Sequence, residues 1–122
     1  MTINEWSDAT AMAEAVQNKT VSPRELVEAT IREAERTNPK INAIVSQRYD
    51  KALKEAEARD FSEKPFAGVP IFLKDLGQEQ AGEPSTAGSR LFTSFHAKES
   101  DNYVKKLEEL GFIVLEIGRA HV

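Results

Sequence analysis

Apolar residues recur at intervals of three and four along several stretches of the chain, a pattern that predicts amphipathic helices. The first helix is expected to begin after Ser7 or Asp8 and to end near Asn18. The second begins with the capping box Ser-Pro-Arg-Glu at Ser22, which also places proline at the first helical position. Because proline disfavours helical geometry in the residue before it, we expect this helix to stop before the Asn38-Pro39 pair.

Two further helices are expected over about residues 49–59 and 100–110, and Gly111 is the expected stop of the second. The charged face of the 49–59 helix is expected to be solvated. Short apolar runs typical of strands lie between the helices: residues 41–45, the run that ends at Lys74, and residues 112–115. Helices that alternate with such strands predict an α/β layer fold.

Composition narrows the classes of function. The chain has 122 residues, 40% hydrophobic and 30% charged, as in an ordinary globular domain. A net charge of −4 without a basic cluster argues against a nucleic-acid partner. No run of about 18 apolar residues is present, which argues against a membrane-spanning helix, and the N-terminus lacks the pattern of a signal peptide. The absence of cysteine fits a reducing cytosol, so we expect a cytoplasmic protein without disulfides or thiolate metal sites.

Several candidate sites are weak. Gly82 and Gly88 enclose five residues and precede Ser89, whereas a phosphate-binding loop needs four residues between its glycines and Lys-Ser/Thr after the second. His96 and His121 have no carboxylates at metal-ligand spacing, so no metal site is expected. Spacing alone leaves a Ser-His-Asp triad open, although nothing in the chain resembles a nucleophile elbow.

Lys74 is a charged residue at the end of the apolar run of residues 68–73. Such a lysine must reach water or hold a partner, and pairing with Asp75 or with solvent is one interpretation. Desolvation by apolar neighbours disfavours the charged amine, so the pKa of such a lysine tends to fall toward the range in which it can move protons. On this second interpretation Lys74 is a candidate base.

Several segments together resemble the amidase signature family. Residues 66–76 carry Gly-Val-Pro followed by Lys-Asp, and residues 81–90 end in Gly-Ser-Arg at the distance typical of that family. Three other segments agree with it: residues 22–29, 38–44 and 101–115. The likeness covers roughly residues 8–115. The combination is specific, whereas any one piece alone is a weak signal.

This resemblance implies a serine hydrolase that uses lysine instead of histidine. In such enzymes a neutral lysine acts through a second serine, held in a cis peptide, which takes the proton from the nucleophilic serine. The nucleophile attacks the amide carbonyl, an acyl-enzyme forms, ammonia or an amine leaves, and water completes the hydrolysis. Lys74 matches the lysine of the family and is the expected catalytic residue. The resemblance implies a small-molecule amide substrate and no cofactor.

The resemblance also implies the N-terminal part of the family's fold, with helices packed on a mixed β-sheet that is incomplete in this chain. The two serines of the family lie downstream, in a Gly- and Ser-rich stretch. Ser85, Ser89 and Ser94 lack the glycine neighbours of an oxyanion loop, and Ser89 with Gly88 is expected to close the loop beneath the site. We therefore expect the 122-residue chain itself to be inactive.

The last seven residues depart from the family, which usually continues after Leu115 with Gly-Lys-Thr-Asn. Here Glu116 is followed by Ile-Gly-Arg-Ala-His-Val, which is the translation of a widely used short-read sequencing adapter. We expect residues 1–115 to be the N-terminal portion of the domain and residues 116–122 to be a non-native tail from adapter read-through. No function is therefore assigned to Arg119 or His121.

Three hypotheses of function follow. The first is a fragment of an amidase that hydrolyses a carboxamide C–N bond. The second is the A subunit of a glutamine-dependent aminoacyl-tRNA amidotransferase, which shares the lysine region but needs partner subunits. The third, of another class, is a small non-catalytic helix-strand binding module. Cooperative thermal unfolding favours this module, whereas aggregation or a molten state favours a severed fragment.

Overall fold

Helices and strands alternate along the chain in the computed structural model, which describes residue 4 and residues 6–119. The elements are α1 Ala9–Gln17, α2 Pro23–Ile41, β1 Ile44–Gln47, α3 Tyr49–Ala58, β2 Pro70–Lys74, α4 Asn102–Leu110 and β3 Ile113–Gly118, with a short 3-10 turn at Arg90–Phe92. The predicted α/β class is confirmed. No helix in these described ranges is long and apolar enough to cross a membrane.

The three strands of the described residues form one mixed sheet in the order β1-β3-β2. The central strand β3 runs antiparallel to β1 and parallel to β2. The register of each pair is interrupted once, between Ile44 and Ser46 in β1 and between Ile71 and Phe72 in β2. The mixed sheet that the family resemblance implied is therefore present, with β1 and β2 at its two edges.

Polar side chains cap the helix starts, and those of Asp8 and Ser22 were predicted from the sequence. The Ser22 hydroxyl accepts a hydrogen bond from the Glu25 amide (3.2 Å), and the Glu25 carboxylate accepts one from the Ser22 amide (2.7 Å). Asp8 and Asp101 cap α1 and α4 through their carboxylates. Each of these side chains satisfies backbone donors that would otherwise have no partner within the helix. At the other end of α4, Gly111 adopts a φ of +106°, as expected of a helix stop.

The prediction that α2 stops before the Asn38-Pro39 pair is wrong, because the helix continues to Ile41. Proline removes one backbone donor from the helix, and the Asn38 side chain satisfies two donors of the chain just after the helix ends. Its Oδ1 accepts from the amides of Ala43 (2.9 Å) and Ile44 (3.0 Å), which anchors the chain just beyond the helix. Asn42 then ends α2 in the left-handed region with a φ of +48°. As a result β1 begins at Ile44, three residues later than predicted.

Two apolar clusters lie on the two faces of the sheet. The first brings α4 against the sheet and contains the buried residues Val69, Leu73, Val104, Leu107, Phe112, Val114 and Ile117. The second brings α2 and α3 against the sheet and contains Val27, Ala52, Ala56, Ile113 and Leu115. The central strand is buried on both faces, which explains its nearly continuous apolar sequence.

The central strand continues through Glu116 into the segment that is expected to be non-native. Glu116 is completely buried (0% exposed), and its Oε1 accepts a hydrogen bond from the Tyr49 hydroxyl. The other oxygen, Oε2, has no hydrogen-bond partner among the described residues. Burial raises the pKa of Glu116, and the bond from Tyr49 only partly opposes this effect.

Candidate active site

Lys74 is the last residue of β2 and its side chain is exposed. Its backbone amide donates to Oε1 of Gln78 (2.8 Å), which fixes the strand end. Within the described residues Lys74 takes part in no ion pair, so its charged side chain is accommodated by solvent and not by a salt bridge to Asp75. The apolar neighbours of Lys74 therefore do not bury its side chain in this chain.

Two hollows open on either side of Lys74. The smaller, of about 190 Å³, lies between Lys74 and the chain at Ala87 and Gly88. The larger, of about 410 Å³, is lined largely by apolar side chains from the end of α2 and from β2, such as Ile41 and Phe72. Lys74 therefore lines both hollows.

Asp75, the neighbour of Lys74, is buried (5% exposed) and faces the following loop. Its Oδ1 accepts a hydrogen bond from the Thr86 amide (2.8 Å), and its Oδ2 accepts one from the Thr86 hydroxyl. Its backbone amide donates to the carbonyl of Gly118 (2.8 Å). Asp75 therefore joins the end of β2 to both the neighbouring strand and the loop.

The β-turn of residues 86–89 forms the wall of the smaller hollow opposite Lys74. It is closed by a hydrogen bond from the Ser89 amide to the Thr86 carbonyl (2.9 Å). Its central residues, Ala87 and Gly88, have φ values of +49° and +71°, as in a type I′ turn. Glycine at position 88 adopts this left-handed backbone conformation without strain.

Of the three serines considered in the sequence, Ser85 and Ser89 have side-chain partners within the loop. The Ser89 hydroxyl accepts a hydrogen bond from the Leu91 amide (3.2 Å) and so begins the 3-10 turn. The Ser85 hydroxyl donates to the Glu79 carboxylate (3.2 Å). Ser94 is exposed, and its carbonyl lies 3.2 Å from Nδ1 of His96. Ser89 therefore helps to shape the loop beside the Lys74 hollow.

A buried ionic cluster, which sequence reasoning missed, holds the first half of this loop. The Arg48 guanidinium bonds to the Val114 carbonyl (2.5 Å) and pairs with Glu55 (2.6 Å) and Glu83 (3.3 Å). Lys51 also pairs with Glu83 (2.6 Å). Burial alone would raise the pKa of Glu83, but the two cations outweigh it and lower the pKa. Arg48 and Glu83 are 35 residues apart, and the only sequence signal is a pair of opposite charges beside apolar segments.

The described residues contain no group of three or more His, Asp or Glu side chains that could hold a metal ion. His96 is exposed in the loop, while His121 lies outside the described residues. Lys74 and the hollows beside it are therefore the candidate site of this chain.

Comparison with known proteins gives a consistent result. A family model described as Amidase matches residues 25–120. A 6-aminohexanoate-cyclic-dimer hydrolase of Paenarthrobacter ureafaciens is 37% identical over 112 residues, which are 90% of this chain and 22% of that protein. A lipoamidase of Enterococcus faecalis is 37% identical over 113 residues, which are 91% of this chain and 16% of that protein. The chain thus spans about a fifth of the length of these relatives.

Another relative is an amidotransferase rather than a hydrolase, and a solved structure agrees with the fold. The A subunit of a glutamyl-tRNA(Gln) amidotransferase from Nitratidesulfovibrio vulgaris (strain DP4) is 33% identical over 109 residues, which are 86% of this chain and 22% of that protein. The solved structure of a 6-aminohexanoate cyclic dimer hydrolase complexed with substrate superposes with a TM-score of 0.87 at 35% identity. The match covers 95% of this chain and 24% of that one.

Proposed function

Because this chain belongs to the amidase signature family, we propose that it is the N-terminal part of an enzyme that hydrolyses a carboxamide C–N bond. The products are a carboxylate and ammonia or an amine. The observation that carries the proposal is the position of Lys74, at the end of a strand within the matched segment and beside two hollows.

Lys74 is the proposed base of a Ser-cisSer-Lys triad. A neutral amine at this position accepts a proton from the bridging serine, which in turn accepts one from the nucleophilic serine. We propose that both serines lie in the remainder of the enzyme, because Ser85, Ser89 and Ser94 have the structural roles or exposed settings described above. The substrate is proposed to be a small-molecule amide, and the chemistry requires no cofactor.

The exposure of Lys74 is consistent with a site that the remainder of the enzyme completes. A lysine base works near neutral pH only when its surroundings disfavour the charged amine. In this chain Lys74 has apolar surface beside it, in the hollow lined by Ile41 and Phe72, but its side chain is exposed. We propose that further parts of the domain cover this side and supply the desolvation.

The amidotransferase hypothesis stays as the second candidate. It is supported by the amidotransferase relative, whose identity is slightly lower than that of the two hydrolases. The two candidates share the lysine chemistry and differ in the fate of the ammonia.

The family match removes the reason to invoke a binding module of another class. The cytoplasmic location expected from the cysteine-free sequence stays a part of the proposal.

The test is to recover the reading frame beyond Leu115 and to express the complete enzyme. We expect release of ammonia or amine from aliphatic and aromatic amides, with 6-aminohexanoate cyclic dimer in the panel because of the similar hydrolase. In the complete enzyme, Lys74→Ala is expected to lower kcat/KM by about 10³-fold or more. Lys98→Ala, at an exposed lysine of the loop, is the matched control. Full activity of the Lys74→Ala enzyme would contradict the proposed role. Turnover of glutamine only with partner subunits would favour the amidotransferase.

A further inference from the structure

We propose that Asp75 is a positioning residue, which holds the 86–89 turn at a fixed distance from Lys74 and so sets the width of the smaller hollow. This inference rests on the proposed function, because the hollow has a catalytic meaning only if Lys74 is the base. Asp75 does not touch the reacting atoms on this proposal. It acts through Thr86.

The contacts of Asp75 form a continuous path from β2 to the turn. Both carboxylate oxygens bind Thr86, one at its amide and the other at its hydroxyl. The Thr86 hydroxyl oxygen in turn accepts a hydrogen bond from the Gly88 amide (3.3 Å), and the Thr86 carbonyl accepts one from the Ser89 amide (2.9 Å). Every one of these bonds involves Thr86, so the contact between Thr86 and Asp75 ties the turn to the end of β2.

The rest of the loop is held elsewhere, which makes the role of Asp75 separable. Its first half is fixed by Glu83, whose carboxylate lies in the ionic cluster with Arg48 and Lys51. Backbone hydrogen bonds then join this half to the far end of the loop, for example from the Ala97 amide to the Glu83 carbonyl (3.0 Å). The 86–89 turn is joined to this loop through its flanks, by the bonds from the Ser85 amide to the Phe95 carbonyl (3.2 Å) and from the Phe92 amide to the Ser89 carbonyl (3.1 Å), while its contact with β2 is made by Asp75. Loss of the Asp75–Thr86 contact is therefore expected to release the turn without unfolding the loop.

Burial makes this contact strong and directional. Asp75 is 5% exposed, and a buried carboxylate needs hydrogen-bond donors to offset the loss of water. Two of its donors come from Thr86, so the lowest-energy arrangement brings Thr86 to a defined place beside the end of β2. The adjacent position of Lys74 then fixes the spacing between the amine and the opposite wall. Catalysis is sensitive to such spacing, because a misplacement of about 1 Å can cost about 100-fold in rate.

The experiment compares variants of Thr86 in the complete enzyme. Thr86→Val keeps the shape of the side chain but removes the hydroxyl that joins Asp75 to Gly88, whereas Thr86→Ser keeps the hydroxyl. We expect Thr86→Val to lower kcat by about tenfold or more with little change in KM, and Thr86→Ser to restore most of the rate. Thr93→Val is the matched control, because the Thr93 hydroxyl lies in the same loop and bonds only to the Arg90 carbonyl (2.7 Å).

Hydrogen–deuterium exchange supplies a second readout that needs no substrate. We expect the amides of Gly88 and Ser89 to exchange at least about tenfold faster in Thr86→Val than in the parent enzyme, while the amide of Ala97 is unchanged. If Thr86→Val does not fold, Asp75→Asn serves instead, because the amide removes the charge and keeps an acceptor. A smaller kcat loss with faster exchange at the turn is then expected.

The outcomes separate this inference from the proposed function. A parent-like kcat together with unchanged exchange at Gly88 in Thr86→Val overturns the positioning role, even if Lys74→Ala is inactive. Equal losses of kcat in Thr86→Val and Thr86→Ser also overturn it, since the hydroxyl is then not what matters. If instead Lys74→Ala retains full activity, the proposed function fails. Unchanged kcat with faster exchange would reduce Asp75 to a structural anchor and overturn the positioning role as well.

Discussion

The hydroxyl of Tyr49, at the start of α3, donates a hydrogen bond to the carboxylate of Glu116 in the centre of the sheet. This bond satisfies one oxygen of a side chain that is completely buried, while the other oxygen has no partner among the described residues. A buried carboxylate with an unmet acceptor is costly, because it has exchanged water for an incomplete set of hydrogen bonds. The packing of α3, which positions Tyr49, therefore affects the ionisation of the Glu116 carboxyl group.

The raised pKa of Glu116 predicts a specific pH dependence of stability. The folded state binds this proton more tightly than the unfolded state, whose glutamate titrates near pH 4.3. The stability gained from protonation is therefore complete below that pH and is lost as the pH rises through the raised folded pKa. Glu116→Gln removes the charge, so at pH 7 we expect it to increase the free energy of unfolding. The gain should shrink toward pH 4.

Thermal unfolding followed by circular dichroism from pH 4 to pH 8 checks this prediction. Glu99→Gln is the control, because Glu99 is exposed in the loop before α4. A constant difference between Glu116→Gln and the parent at every pH would contradict the titration argument.

The same residue bears on the proposal that residues 116–122 are not native. A carboxylate at 0% exposure in a central strand is unusual in a selected core, and the family pattern has glycine there. We expect re-sequencing of the source DNA to give a different codon after Leu115. The matched family segment reaches residue 120 and the strand reaches Gly118, so neither ends at Leu115. The genomic sequence at this locus is therefore the decisive measurement. An uninterrupted genomic reading of all seven residues would refute read-through.

The buried ionic cluster predicts a large cost for removing one partner. Arg48→Met leaves Glu83 with Lys51 as its remaining cation and removes the donor to the Val114 carbonyl. We expect a loss of about 2 kcal/mol in the free energy of unfolding, since the Val114 carbonyl loses its donor and the buried Glu83 carboxylate keeps only one of its two cations. Denaturant unfolding of Arg48→Met and of the parent chain measures this difference in the free energy of unfolding.

The control for this prediction is an exposed arginine in a comparable pair. Arg24→Met removes a surface guanidinium that contacts Glu28 and Glu57, and it should change the denaturant midpoint far less. The double change of Arg48→Met with Glu83→Gln is expected to recover part of the loss. Equal midpoints for Arg48→Met and Arg24→Met would show that the cluster contributes no more than a surface pair.

The 122-residue chain is predicted to have no amidase activity. Its candidate base lacks both proposed serines and is exposed to solvent. Incubation of the purified chain with aliphatic and aromatic amides should release no ammonia or amine above the background of Lys74→Ala. Turnover that depends on Lys74 would contradict the prediction and would require a nucleophile among the residues of this chain.

Local features of the fold followed from the sequence because their causes are local. The Ser22 capping box and the Gly111 stop each depend on side chains within four residues, so their pattern is visible in the chain itself. The predicted end of α2 was wrong. The Asn38 side chain holds the chain beyond the helix through the amides of Ala43 and Ile44, and residue preferences alone do not show that contact.

The catalytic role of Lys74 stays a prediction from the motif around it. Its exposure was not predictable, because it depends on which elements cover the end of β2. The bond between Asp75 and Thr86 and the pairing of Arg48 with Glu83 join residues 11 and 35 positions apart. Opposite charges are common in the sequence, and only the arrangement of the strands decides which of them meet.

The order β1-β3-β2 has a consequence for synthesis on the ribosome. Within the described sheet the two outer strands do not pair with each other, and each depends on β3, which is translated after both. Until residues 113–118 leave the ribosome, the nascent chain can form helices, but β1 and β2 have no strand with which to pair. For that interval β1 and the apolar strand ending in Lys74 are exposed edges, which makes this stretch a natural client for chaperones that bind extended apolar segments.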